Sequence, residues 1–308
     1  MKILITGSSG LIGKEISYQL SKNKKYDLNL VSNKIINKKK IKFFYQNLLK
    51  PIKLKLKPHA IIHCAAKHPN SRSGSNMKNI YFTNMKITKN LIKFANKNNV
   101  KKIFFLSSID VYGLIKKKMV FENQTPFKPN LYEKSKFLSE KLFCKNNNNF
   151  QAICLRIPGV FTLNLEKNYP LIIKITKKIL NNEDVIAYNL NKKFNNTIDV
   201  KEIVKFINFA LRKRNIKSEI YNFSASNPIK FIYLINLIKK IFKSKSKIIN
   251  KSTNRKSFII SNKKILNNLN FKNMNDIFKS DAAIKFRSLL REEGTVPACH
   301  RCGYLKLK

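Results

Sequence analysis

Residues 5–13 read ITGSSGLIG, and the spacing of their three glycines decides the fold. Gly7, Gly10 and Gly13 follow an apolar run, KILIT (2–6), and open a helical pattern that extends from Leu11 to about Leu20. Glycines at such a junction permit a tight turn, close approach of backbone to a phosphate, and close packing of helix on strand. The helix N-terminus adds unpaired N–H groups and the positive end of the helix dipole. Gly7, Gly10, Leu11, Ile12 and Gly13 are therefore candidate ligands for the pyrophosphate of a dinucleotide. A glycine pattern of this kind means little alone. It gains force when it sits on the first strand–helix junction of an alternating series.

That series is present. LNLV (28–31), KFFYQ (42–46), AIIHCA (60–65), KIFFLS (102–107) and AICLRI (152–157) are short, continuous apolar runs. Between them, NMKITKNLIKFANK (84–97) and YEKSKFLSEKLF (132–143) carry apolar residues at three- and four-residue spacing. Continuous runs separated by amphipathic helices predict parallel strands buried on both faces. The fold class is α/β, a Rossmann-type doubly wound parallel sheet over residues 1–160. Beyond it the pattern loosens. Helices are expected at 170–181, 200–212 and 229–243, with strands near 185–188 and 219–224. A smaller mixed α/β substrate lobe is expected over 161–278, with segments near 194–225 returning to the first domain. Residues 279–308 form an atypical tail. From Asp281 onward it contains no Asn, which is abundant elsewhere.

The end of the second strand selects between dinucleotides. An acidic residue there binds the ribose 2′-hydroxyl of NAD, whereas a cation accommodates the 2′-phosphate of NADP. This chain has Ser32, Asn33 and Lys34, with no carboxylate, so NADP is favoured over NAD.

A net charge of +47 invites a nucleic-acid reading. The lysines, however, are spread along the chain and accompany abundant Asn and Ile, as AT-rich codon usage would produce. They form no basic stripe with interleaved aromatics, so no specific nucleic-acid partner is expected. An apolar fraction of 43% with 11% aromatics describes an ordinary globular protein. No apolar run reaches the ~18 residues of a membrane span, and the expected location is the cytoplasm. Five cysteines, an odd number, are expected to be reduced thiols, with Cys64, Cys144 and Cys154 as small core residues. Cys299 and Cys302 have metal-ligand spacing but supply half a site, and no metal is expected.

Tyr132 and Lys136 are four apart on an expected helix and so share one face. A tyrosine of ordinary pKa near ~10 is a weak acid–base catalyst at neutral pH. A lysine ammonium beside it would stabilise the phenolate. Ser108, within LSSIDVYG (106–113) and at the end of an expected strand, could hold the same substrate oxygen. Strand ends at the carboxyl edge of such a sheet are where ligands collect.

Taken together, TGSSGLIG, SSIDVYG, YEKSK, HAIIHCAA (59–66), LRIPGVF (155–161), FNNTIDVKEI (194–203) and YNFSAS (221–226) resemble the extended short-chain dehydrogenases/reductases. The resemblance is to their NAD-dependent epimerase/dehydratase group, which acts on nucleotide sugars, and it covers roughly residues 1–275. It implies that Ser108, Tyr132 and Lys136 are catalytic and that Lys136 also holds the nicotinamide ribose. It places Ala65, Ala66 and Ser107 beside the cofactor and Pro158 and Val160 against the nicotinamide. Asn84 and Asn196, with Ser108, fall to the substrate. Dehydratases of this group use an adjacent acid–base pair after the catalytic hydroxyl, where this chain has Ile109 and Asp110. Isoleucine cannot donate a proton, so dehydration is disfavoured and Asp110 is expected to shape the turn. Two activities stay open: a 4-epimerase and a 4-ketoreductase acting on a nucleotide-linked sugar, in surface-polysaccharide pathways, with homodimerisation the family habit. A catalytically inactive Rossmann-type nucleic-acid or regulatory protein is the alternative class. The resemblance is imperfect. Gln46 and Asn47 stand where the family has an acidic residue, and FTLNLEKN (161–168) lacks its glycines.

Overall fold

The apolar runs become strands of one sheet because each alternates its side chains between two helix-covered faces. The computed structural model describes residues 1–33, 41–69, 76–145, 148–161, 171–254 and 256–271. Its first half contains β1 (Lys2–Thr6), α1 (Leu11–Ser21), β2 (Asp27–Ser32), β3 (Lys42–Tyr45), β4 (Ala60–His63), α2 (Met77–Lys97) and β5 (Lys102–Ser108). A 3-10 turn (Ile109–Tyr112) leads to β6 (Met119–Val120), α3 (Leu131–Phe143), β7 (Gln151–Ile157) and β8 (Gly159–Phe161). The chain continues through α4 (Leu171–Leu180), β9 (Val185–Tyr188), β10 (Lys193–Phe194), β11 (Thr197–Asp199) and α5 (Val200–Arg212). It closes with β12 (Glu219–Asn222), β13 (Ile229–Lys230), α6 (Phe231–Ile241), β14 (Ile248–Lys251), β15 (Ile259–Ile260) and α7 (Lys263–Leu269).

The central sheet has seven strands in the order β12-β7-β5-β4-β1-β2-β3, all paired in parallel. This is the doubly wound arrangement expected from the sequence. Strand order reverses between β1 and β4, and ligands of such sheets bind outside the carboxyl ends at that reversal. On one face Ile3, Ile5, Leu30, Ile62 and Phe104 pack with Ile16 of α1 and Ile203 and Phe206 of α5. On the other, Leu4, Val31, Ile61, Ile103 and Phe105 pack with Leu91 and Phe94 of α2 and Phe143 of α3.

Helix α2 starts seven residues before the apolar pattern at 84–97 becomes regular. Its cap explains the early start: Asn79 N–H donates to the Asn76 side chain and satisfies an end group that would otherwise be orphaned. A second core, built by Ile172, Ile173, Val185, Leu234, Ile235 and Phe242, belongs to the small lobe. Within 161–278 the chain returns twice to the large sheet. First β11 pairs with β8, α5 packs on α1, and β12 takes the sheet edge. Later β15 pairs with β6, while Ile265, Leu269 and Phe271 join the large core.

Chain reversals here are made with few glycines. Asn99, Lys128, Asn182, Asn189, Lys243 and Asn270 all have φ between 49° and 56°. Three of them close helices by the same device. Val100 N–H donates to Ala95 O, Glu183 N–H to Lys178 O and Ser244 N–H to Lys239 O, at 2.9–3.0 Å.

One buried ion pair crosses between layers. Arg156 of β7 donates to both oxygens of Glu140 on α3, the shortest contact being 2.8 Å, with the two side chains 1% and 0% exposed. Ser107 donates to the same carboxylate at 2.5 Å, and Arg156 also donates to Glu122 O. The guanidinium lies 4.8 Å from the Tyr112 ring centre. Removing one member leaves an uncompensated buried charge. Arg156→Met is expected to lower unfolding free energy by about 3–5 kcal/mol, read from urea denaturation against the parent protein.

Candidate active site

The glycine turn is built around close approaches. Gly7 has φ +70°, and a Cβ on it would lie 2.6 Å from Ala65 N; one on Gly13 would lie 2.3 Å from Gly7 O. Both positions thus need glycine, one to let the turn meet the end of β4 and the other to seat α1. Gly10 is tight to a lesser degree: an added Cβ would meet Gly7 O at 3.2 Å. Gly10 N-caps α1 with no side-chain hydrogen bond, and the first turn of the helix contains no acidic residue. Leu11 and Ile12, both half-buried, and buried Gly13 form that first turn. A helix start without a side-chain cap or an acidic first turn suits a phosphate. The residues present therefore fit a dinucleotide, whose nicotinamide would supply hydride chemistry.

Ser32, at the end of β2, donates to Ser9 Oγ at 2.7 Å, and Ser8 donates to Val31 O. The second strand is thereby tied to the glycine turn, and no carboxylate occupies Ser32 or Asn33. Lys34 lies outside the described residues, as do Cys299 and Cys302. Among the described residues no cluster of three metal-ligating side chains occurs.

Residues 64–68 connect the turn to the tyrosine. Half-buried Ala65 abuts Gly7, while Ala66 is exposed. The Asn84 side chain donates to Lys67 O at 3.1 Å and accepts from Lys67 N–H at 2.8 Å. Its amide also donates to Ser135 Oγ of α3 at 3.1 Å. Asn84 is buried, and these bonds join the segment to two helices. His68 then places its ring edge-on to Tyr132, with centroids 4.8 Å apart.

Helix α3 begins with a capping box between Asn130 and Glu133, which sets Tyr132 in its first turn. Tyr132 is buried, and burial, chiefly, together with the Asp110 and Glu133 carboxylates, pushes its phenol well above the usual range; a hydrogen bond with Ser108 acts in the opposite sense. Lys136, one turn on, donates to Leu106 O at 2.6 Å, and its Nζ lies 4.5 Å from the Phe105 ring centre. Burial is the main cause that brings its pKa down to about 8, against opposing charge from Glu140. The same ammonium contributes, after burial, to holding His63 down at about 3. His63, neutral, shares a 2.7 Å hydrogen bond with Thr6 across the β1–β4 register.

Ser108 donates to Asp110 Oδ2 at 2.9 Å and accepts from Asp110 N–H at 3.2 Å. Asp110 therefore organises the 3-10 turn, as the sequence reading anticipates. Ser107, placed beside the cofactor by resemblance, directs its hydroxyl to Glu140. Half-buried Pro158 precedes β8, in which Val160 is buried and pairs in register with Ile198. Asn196 sits in the small lobe, in a cavity of about 500 Å³ lined also by Tyr188, Lys192, Phe194 and Lys256. Its Oδ1 is a buried acceptor without a hydrogen-bond partner. The sequence reading did not single out His68, Glu140 or Arg156 for this site. Glu140 alone left a signal there, since 132, 136 and 140 share one helical face.

Comparison with known proteins agrees with this geometry. The model of the NAD dependent epimerase/dehydratase family matches residues 3–224. An ADP-L-glycero-D-manno-heptose-6-epimerase of Brachyspira hyodysenteriae is 25% identical over 269 residues, covering 79% of this chain and 82% of the relative. A GDP-6-deoxy-D-talose 4-dehydrogenase of Aggregatibacter actinomycetemcomitans is 32% identical over 149 residues, 47% of this chain and 48% of that one. The UDP-glucuronic acid 4-epimerase of Bacillus cereus, solved in complex with NAD, superposes with a TM-score of 0.78 at 19% identity, covering 95% of this chain and 100% of that one. The fold and site define a dinucleotide-dependent enzyme class. This chain belongs to the NAD dependent epimerase/dehydratase family.

The depressed Lys136 pKa has a measurable consequence. A folded-state value of about 8 against an unfolded value of 10.5 means the unfolded chain binds more protons between those pH values. The penalty is fully present below pH ~8 and is relieved as pH rises towards ~10.5. Thermal denaturation across that window is expected to show the parent gaining stability relative to Lys136→Met. Parallel curves for the two proteins would contradict the assignment.

Proposed function

We propose that this protein transfers hydride at C4 of a nucleotide-linked sugar, with Tyr132 as the acid–base group. The observation that supports it most directly is segment 64–68, which touches Gly7 at one end and Tyr132 at the other. Gly7, Gly10 and Gly13 would hold a dinucleotide at one end of this segment, and Tyr132 stands at the other. In the reductive direction a bound nicotinamide would supply hydride to the carbonyl carbon. Tyr132 gives its proton to the carbonyl oxygen, and Ser108 holds that oxygen. The raised phenol pKa supports this direction, because Tyr132 holds its proton at neutral pH. Lys136, four residues along the same face, favours the phenolate left behind.

Reduction of a 4-keto sugar with NADPH is one reading, favoured by Ser32 and Asn33 where a carboxylate would repel a 2′-phosphate. The other is 4-epimerisation with retained NAD, in keeping with the NAD dependent epimerase/dehydratase family to which the chain belongs. On either reading the enzyme acts in the cytoplasm, as a homodimer, in polysaccharide biosynthesis.

Titration of the purified protein with NADPH and NADH separates the two. An empty site preferring NADPH supports the reductase, and NAD that survives purification supports the epimerase. Absence of affinity for either dinucleotide would overturn both. Tyr132→Phe is expected to lower turnover by about 10²–10⁴-fold while leaving dinucleotide affinity within a few-fold. Loss of binding together with turnover would make Tyr132 structural.

A further inference from the structure

We propose that Cys144 and Cys154 are a peroxide-responsive thiol pair that closes to a disulfide at the foot of α3. Their sulfurs lie 3.7 Å apart, in van der Waals contact. Cys144 is the C-cap residue of α3 and is partly exposed, while Cys154 lies fully buried in the middle of β7. Cys154 is held in register between Phe105 of β5 and Ile220 of β12, so its backbone is fixed. The partner that would move is the Cys144 side chain at the helix end. A disulfide requires the sulfurs to close to ~2.05 Å, a shift that rotation of the terminal helix residue can provide.

The two thiols differ in access, which orders the chemistry. Peroxide reaches Cys144, whose thiolate attacks one oxygen and becomes a sulfenic acid as hydroxide leaves. The Cys154 thiol then attacks the sulfenic sulfur. Its proton joins the departing hydroxyl as water, and the S–S bond forms. In sum, two thiols and one hydrogen peroxide give one disulfide and two waters. Two electrons pass to the peroxide. Burial, first, and the neighbouring Cys144 keep Cys154 protonated until that step. Burial likewise holds Cys64 protonated, pushed up to about 12.

The bond would tie the last residue of the helix that carries Tyr132, Lys136 and Glu140 to the strand that carries Arg156. The proposal does not depend on the identity of the substrate. Its test uses the full chain with Cys299→Ser and Cys302→Ser, which leaves three of the five cysteines. After hydrogen peroxide and unfolding in guanidinium, thiol titre is expected to fall from three per chain to one. Peptide mapping should find residues 144 and 154 linked, and dithiothreitol should restore the titre. Cys154→Ala is expected instead to trap a dimedone-reactive Cys144. Should that variant not fold, Cys144→Ser serves, and its titre is expected to stay at two. An unchanged titre, or Cys144 carried on to sulfinic acid with Cys154 still free, would overturn the proposal.

Discussion

The Glu140–Arg156 pair is the contact on which the candidate site depends, because it fixes where α3 lies over the sheet. Tyr132, Lys136 and Glu140 follow one another at four-residue spacing and each grips the end of β5. Glu140 accepts from Ser107, Lys136 donates to Leu106 O, and Tyr132 bonds with Ser108. A helix that slid by one residue would lose all three at once. Two ions buried to this degree carry a large desolvation penalty, and replacement by apolar residues of similar volume is often no less stable. What such a pair offers is register. Stability of the sheet comes from its two apolar faces, whereas placement of the phenol comes from this ion pair.

The site itself works against the protein's stability. Lys136 and Tyr132 are both buried groups whose charged forms the surroundings oppose, and Asp110 adds its field against the phenolate. Such opposition is common where groups must change protonation state during a reaction. Ser108 mediates between the two sides, since it bonds with Tyr132 while giving its own proton to Asp110. On the proposed function, a substrate oxygen arriving at Ser108 would compete with that carboxylate, and the exposed aspartate that shapes the turn would then influence binding.

Much of the fold was legible because it is written in local pattern. The continuous apolar runs became strands within one or two residues of where they were read, and the ITGSSGLIG turn sits at the sheet reversal. The early start of α2 was missed because its signal is one asparagine cap rather than periodicity. Two-residue pairings such as β6 with β15 join residues about 140 apart and leave no trace in either segment. Around the candidate site, spacing and resemblance anticipated that Tyr132 and Lys136 share one face of α3 and that Ser108 lies near Tyr132. Arg156 was not anticipated, since nothing within AICLRI announces that its arginine points inward to a carboxylate on α3. Asn84 shows a different limit. Its position was readable, but only the structure reveals that its amide holds Lys67 and Ser135.

Glycine makes up only eight of the 308 residues, and asparagine or lysine fills the left-handed positions at six chain reversals. Asparagine tolerates that conformation, but a lysine there costs about 1–2 kcal/mol relative to glycine. Lys128 and Lys243 thus hold strain that neither the core nor the candidate site requires. Those two turns therefore carry a conformational cost set by the loop residue alone. The difference is recoverable: a chain with glycine at both could keep every core contact and still melt at a higher temperature.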